Sequence, residues 1–82
     1  MNLEVYRYKS VKPAIESYFK NNPDVGVEEA CSTLAVSTHV PLLAVCYFTE
    51  EVLGSSPELE SLKNRIRIFY RYDKVILNAD SN

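Results

Sequence analysis

Cys31, His39 and Cys46 are the side chains of this sequence best suited to soft-metal ligation or nucleophilic attack. Zinc sites use close-set ligand pairs such as Cys-x-x-Cys. Here seven and six residues separate the three candidates, which matches no such spacing. A Cys–His nucleophile also needs a group to orient the imidazole and backbone donors for an oxyanion. Gly26 and Gly54 are the only glycines, so no glycine-rich loop is available to cradle an oxyanion or a phosphate. The spacing leads away from catalysis, metal and cofactor. It leads toward two reduced cysteines acting as small buried apolar groups.

The other polar constellations are acidic pairs, tyrosine–arginine runs and two basic ends. Glu28/Glu29 and Glu50/Glu51 read as solvated helix faces rather than as acid–base pairs. Tyr6 and Tyr8 flank Arg7, and Tyr70 and Tyr72 flank Arg71. Such aromatics stack on bases in some proteins, but they more commonly pack on an element's surface with the phenol wet. Residues 1–20 carry Arg7, Lys9, Lys12 and Lys20 against Glu4 and Glu16. Residues 21–62 carry no Lys or Arg and seven acids, and residues 63–74 carry five bases against Asp73. Two readings follow. The basic ends fold onto the acidic middle and neutralise it, or they form a basic face for an acidic partner or anionic surface. The first is favoured, because small domains commonly intersperse both signs.

The elements that must position these groups are helical. Pro13 suits a first helical turn, with Ala14, Ile15, Tyr18 and Phe19 at helical spacing and Asn21-Asn22-Pro23 ending the run, so a first helix is predicted over about 13–21. Leu3, Val5, Tyr6 and Tyr8 before it read as a short strand or extended arm. Ala30, Cys31 and Leu34 share a face of a second, two-turn helix over 27–35. Ser37 and Thr38 are suited to cap a third helix over about 39–52, which Gly54 ends. Ser56-Pro57-Glu58 is the strongest helix start in the chain. Leu59, Leu62, Ile66 and Phe69 continue it, giving a fourth helix from 57 to about 72. The alternation of Arg65-Ile66-Arg67-Ile68 and Tyr70-Arg71-Tyr72 is the rival signal. It reads as a strand within 65–77 that pairs with the N-terminal segment. Residues 78–82 are polar and are expected to form a frayed tail.

Residues 27–43 resemble a helix-turn-helix, with Ala30 placed to pack between helices and Val36-Ser37 leading into the turn. As a DNA-reading surface the unit is poor. It offers Thr38, His39, Pro41, Leu42 and Leu43 where a recognition helix needs polar and basic side chains, and it lacks phosphate-binding cations. Specific DNA binding is therefore not expected. The third helix is apolar on nearly every side: Leu42, Leu43, Val45, Cys46, Tyr47, Phe48, Val52 and Leu53 surround it. Such a helix is wrapped as the core or buried against another molecule. The second option predicts a homo-oligomer through residues 40–53.

At 82 residues, with 46% apolar and 24% charged residues, the chain is a single ordinary globular domain of compact radius about 12 Å. It is not a disordered tail, a collagen-like repeat or a disulfide scaffold. Charges at Glu4, Arg7, Lys9 and Lys12 interrupt the apolar stretch of roughly 7–15 residues that a secretory leader needs. Val40–Phe48, the longest apolar run, falls well short of the roughly 20 residues of a membrane span. A cytoplasmic location without a membrane span is expected.

Three stretches carry a wider resemblance: Leu3-Glu4-Val5-Tyr6-Arg7-Tyr8-Lys9, Val11-Lys12-Pro13-Ala14-Ile15-Glu16 and Phe69-Tyr70-Arg71-Tyr72-Asp73. With the length and overall run of the chain, they resemble the lysis-inhibition accessory proteins of the T-even bacteriophages, products of the third rapid-lysis locus. The resemblance spans essentially the whole chain, but no short motif carries it, so it assigns no residue a role. It implies a non-enzymatic regulator in the cytoplasm of the infected bacterium. Such a regulator binds the cytosolic part of the phage holin and delays pore formation. Together these readings give a mostly α, four-helix domain with a helix-turn-helix-like middle and a short N-terminal strand or arm. Its candidate interaction surface comprises Leu42, Leu43, Tyr47, Arg65, Arg67 and Arg71. The alternative is a small helix-turn-helix regulator of transcription or nucleic acid.

Overall fold

The computed structural model describes residues 4–69 and 75–78, with side chains described over 8–66. Four helices carry the fold: α1 (Tyr8–Asn21), α2 (Val27–Thr38), α3 (Leu42–Leu53) and α4 (Pro57–Phe69). Strand β1 (Glu4–Arg7) pairs in parallel with β2 (Val75–Asn78), in the register Glu4↔Val75 through Arg7↔Asn78. The architecture is mostly α, and α3 packs against all three other helices. The radius of gyration is 12.1 Å.

Helix α1 starts five residues before the predicted Pro13, so the proline lies inside it. Core packing drives the extension. Val11 and Ile15 are buried, and Tyr8, Ala14, Tyr18 and Phe19 pack against the core at spacings of three and four. The Tyr8 ring lies 5.7 Å from that of Phe48. An interior proline costs about 3 kcal/mol in an isolated helix, partly through the missing N–H. Here Pro13 and Lys9, whose carbonyl loses that donor, are both exposed, so water can take the place of the bond.

The turn between α2 and α3 also differs from expectation. Ser37 and Thr38 do not cap α3; they form the last turn of α2, which runs a turn longer than predicted. Their hydroxyls donate back to the Leu34 carbonyl, at 3.3 and 2.6 Å. His39 then adopts the left-handed conformation (φ 58°, ψ 38°). Its N–H bonds to the Val36 carbonyl, and the N–H of Val40 bonds to that of Ala35. This crossed pair satisfies the last carbonyls of α2 in the Schellman manner, in a place where glycine is usual and histidine is tolerated better than most residues. Helix α3 accordingly begins at Leu42, with Pro41 in extended conformation at its N-cap position.

Gly54 ends α3 as predicted, with φ 95° and its N–H on the Glu50 carbonyl at 2.8 Å. Helix α4 begins at Pro57 as predicted. The Ser56 hydroxyl accepts the Leu59 N–H at 3.2 Å, and Glu58 and Glu60 lie in the first turn. The chain is helical through Phe69, so the alternation of Arg65–Ile68 does not make a strand. The N-terminal strand does find a C-terminal partner, but it is Val75–Asn78, so Asn78, expected in the frayed tail, instead pairs with Arg7. The rest of the Tyr70–Tyr72 run lies outside the described residues.

The core is built from one stripe of each helix. Leu59, Leu62 and Ile66 of α4 meet Cys31 and Leu34 of α2, Val11 and Ile15 of α1, and Ala44, Val45, Cys46 and Phe48 of α3. The α3 surface is largely covered: its exposed positions are Glu51 and Leu53. Val36 (77% exposed) and Leu53 (50%) are the large apolar side chains left open among the described residues.

Candidate functional site

Helix α4 organises the charged groups that the sequence singled out. Its core stripe of Leu59, Leu62 and Ile66 has a polar flank on either side. Glu60 and Lys63 face the α3 side, while Glu58, Ser61 and Arg65 face the α2 side. Three- and four-residue spacing gathers each set on its own side of the helix.

On the α3 flank, Lys63 is 4% exposed. Its Nζ lies 2.9 Å from Glu50 Oε1 and 2.9 Å from Glu60 Oε2. The same ammonium sits 4.8 Å from the centroid of the Tyr47 ring, within range of a cation–π interaction. Ser55 Oγ donates to the second oxygen of Glu50 at 3.0 Å. Burial pulls the Lys63 ammonium toward deprotonation, but hydrogen bonds to the two carboxylates outweigh it and its pKa lies above the ordinary lysine value. Hydrogen bonds from Lys63, then from Ser55, hold Glu50 below the usual carboxylate value.

On the α2 flank, both terminal nitrogens of Arg65 donate to Glu28, at 3.3 and 3.0 Å. Both side chains are more than half exposed. The forked hydrogen bond lowers the Glu28 pKa and raises that of Arg65. Beside the pair is an open groove of about 260 Å³ lined by Glu28, Pro57, Glu58, Ser61 and Arg65.

The structure thus brings Tyr47 beneath Lys63 and turns Arg65 toward Glu28. Leu42 and Leu43 are half-buried against the core. Arg67 belongs to the last turns of α4, and Arg71 lies outside the described residues. The first three bases after residue 62 include two that are committed to acids of the middle segment, as local neutralisation requires. Sequence reasoning missed the role of Lys63, which it counted among the basic ends. The i,i+3 spacing to Glu60 was a signal for one of its two ion pairs.

The cysteines are both fully buried, on facing turns of α2 and α3. Cys31 Sγ donates to Thr49 Oγ1 at 3.7 Å, and Thr49 is also fully buried. His39 is exposed at the α2–α3 corner, and among the described residues no three His, Cys, Asp or Glu side chains converge as a metal site.

Helices α2 and α3 meet at a 116° bend across three residues, within the geometry of a helix-turn-helix. The helix that would read DNA is the one most buried: Ala44, Val45, Cys46, Phe48 and Thr49 all face the interior. Among the described residues no single helix is long and apolar enough to cross a membrane. Comparison with protein-family models, curated proteins and solved structures found no match to this chain.

Proposed function

We propose that this protein is a non-enzymatic regulator of phage lysis timing that binds the cytosolic part of the holin and promotes lysis inhibition in the cytoplasm of the infected bacterium. The observation that carries the reading is the whole-chain resemblance to the lysis-inhibition accessory proteins, in residues 3–9, 11–16 and 69–73. The arrangement of charges supports it: buried ion pairs commit Lys63 to the α3–α4 joint, whereas the exposed Arg65–Glu28 pair lies at the surface, where its charges remain available to a partner. The proposed contact surface keeps the residues read from the sequence, Leu42, Leu43, Tyr47, Arg65, Arg67 and Arg71, of which Leu42, Leu43 and Tyr47 are partly exposed on α3 and Arg65 is exposed on α4. A pull-down with the soluble cytosolic segment of a T-even holin tests the reading, with an unrelated membrane-protein tail as control. Retention by the holin segment alone is expected; equal retention by both would sink the proposal.

Self-association through residues 40–53 is part of the same proposal, on a narrower surface than composition implied. Leu53, half exposed at the end of α3, is the position to change. Leu53→Asp is expected to lower the mass seen by light scattering while leaving the helical circular dichroism intact. A monomer at all concentrations in the unaltered protein removes self-association from the reading.

The 116° corner favours a second reading, a helix-turn-helix regulator. Against it stand the burial of α3 and the lack of any Lys or Arg between residues 21 and 62. Duplex binding that survives physiological salt and is lost in a Thr38→Ala/His39→Ala variant would favour this reading over the first.

A further inference from the structure

Cys31 and Cys46 lie in the second turns of α2 and α3, both at 0% exposure. Thr49 stands one helical turn beyond Cys46 on α3, so the two share a face. Cys31 donates to Thr49 across the α2–α3 contact at 3.7 Å, which sets the two thiols side by side, and their interaction lowers the pKa of Cys31 and raises that of Cys46. The result is a cluster of Cys46, Cys31 and Thr49, closed off from solvent at the corner where the chain turns. Two thiols in contact across two helices are placed for a reaction that a single buried cysteine cannot complete.

We propose that Cys31 and Cys46 form a redox-sensitive dithiol that hydrogen peroxide converts to an intrachain disulfide, stapling α2 to α3. The Cys31 sulfur attacks one peroxide oxygen. An S–O bond forms, the O–O bond breaks, and the departing hydroxide takes up the thiol proton to leave as water. The Cys46 sulfur then attacks the Cys31 sulfur. The S–S bond forms, the S–O bond breaks, and a second water leaves with the Cys46 proton. Two thiols and one peroxide become one disulfide and two waters, each sulfur oxidised by one electron and the two peroxide oxygens reduced. The order of attack follows from that interaction. The Cys46 thiol eases ionisation of Cys31, whereas the Cys31 sulfur and burial both push the Cys46 thiol up. Because neither sulfur is exposed, peroxide reaches them through opening of the α2–α3 contact, and the reaction is gated by it.

The test treats the full, reduced protein with hydrogen peroxide under native conditions. Intact mass is expected to fall by two hydrogens, maleimide labelling of both cysteines to disappear, and peptide mapping to join the segments holding residues 31 and 46. Closing this loop is expected to raise the melting temperature by on the order of 10 °C, reversibly with dithiothreitol. In Cys46→Ser the reaction stops at the sulfenic acid, which dimedone traps on Cys31. In Cys31→Ser, Cys46 stays unmodified at the same dose. The proposal is overturned if both thiols stay fully labelled after peroxide treatment of the folded protein, or if the linkage formed joins two chains. It is equally overturned if dimedone labels Cys46 rather than Cys31 in the single variants.

Discussion

The two flanks of α4 use the same chemistry in different surroundings. Lys63 meets Glu50 and Glu60 at 2.9 Å each with its ammonium almost withdrawn from water. Arg65 meets Glu28 through a fork of comparable length with both side chains more than half exposed. Distance alone would rank the pairs as equals. Burial separates them. A charge taken from water must be compensated by its partners, so losing a partner strands it. An exposed pair falls back on solvent when broken and contributes little. The α3 flank is therefore a structural joint, and the α2 flank is a surface whose charges remain available.

Removing the buried ammonium is the strongest way to break this comparison. Lys63→Ala deletes the stem that covers apolar surface and leaves Glu50 and Glu60 close together without their shared cation. A loss of about 2–3 kcal/mol is expected, less than for a fully enclosed pair because both carboxylates are partly wet. Lys63→Met keeps the stem and should lose about half as much. Urea midpoints measure both, and equal midpoints for Lys63→Ala and the unaltered protein would refute the buried joint.

Proton titration probes the same joint without mutation. Glu50 is held below its ordinary value of 4.5, so the stability it contributes is present above that pH and is lost as pH falls through its folded value. Lys63 is held above its ordinary value of 10.5, so its contribution is present below that pH and is lost as pH rises through its folded value. The unaltered protein should show a stability plateau between these limits. In Lys63→Met the acid limb should be shallower, because Glu50 no longer gains from ionisation. Urea unfolding at pH 7 and pH 3 reads the difference, and parallel acid limbs would show that Glu50 does not depend on Lys63.

Both flanks depend on where α4 starts, which the Ser56 hydroxyl fixes by capping the Leu59 N–H. Ser56→Ala should cost about 1 kcal/mol. It should do so in the presence and absence of Lys63 alike, since the cap and the ion pair share no partner. A double-mutant cycle by urea unfolding checks this. Strong coupling would mean that the cap sets the Lys63 geometry.

These residues also show what the sequence makes legible. The start of α4 is visible because Ser56-Pro57-Glu58 acts locally: cap, proline and acids all lie within one turn. The same holds for the stop at Gly54. The α2–α3 turn misleads because Ser37 and Thr38 have two local options, capping the next helix or bonding back to Leu34, and the left-handed His39 decides between them. Nothing within the turn marks His39 as the residue that adopts it. The start of α1 depends on Tyr8 meeting Phe48, forty positions away. The burial of Lys63 depends on Tyr47 and Glu50 across the α3–α4 contact. Short-range rules reach the elements, whereas the buried joint and the paired cysteines arise only once α2, α3 and α4 have packed.

The smallest effect belongs to the α2 flank and is the most informative about surface. Arg65→Ala removes the fork to Glu28 but strands nothing, because Glu28 is already in contact with water. The melting temperature should be unchanged within error at physiological salt, where the Debye length of about 8 Å leaves little of an exposed pair's attraction. The substitution still alters the groove beside it, where Glu28, Glu58 and Ser61 lose the Arg65 cation that lines the same wall. Binding and stability should therefore separate here. If the holin segment docks on this rim, Arg65→Ala weakens its capture while leaving unfolding untouched, whereas Lys63→Ala weakens both together. Equal destabilisation by the two alanine substitutions would mean that the Arg65–Glu28 fork is as structural as the Lys63 joint. The distinction between the flanks would then fail.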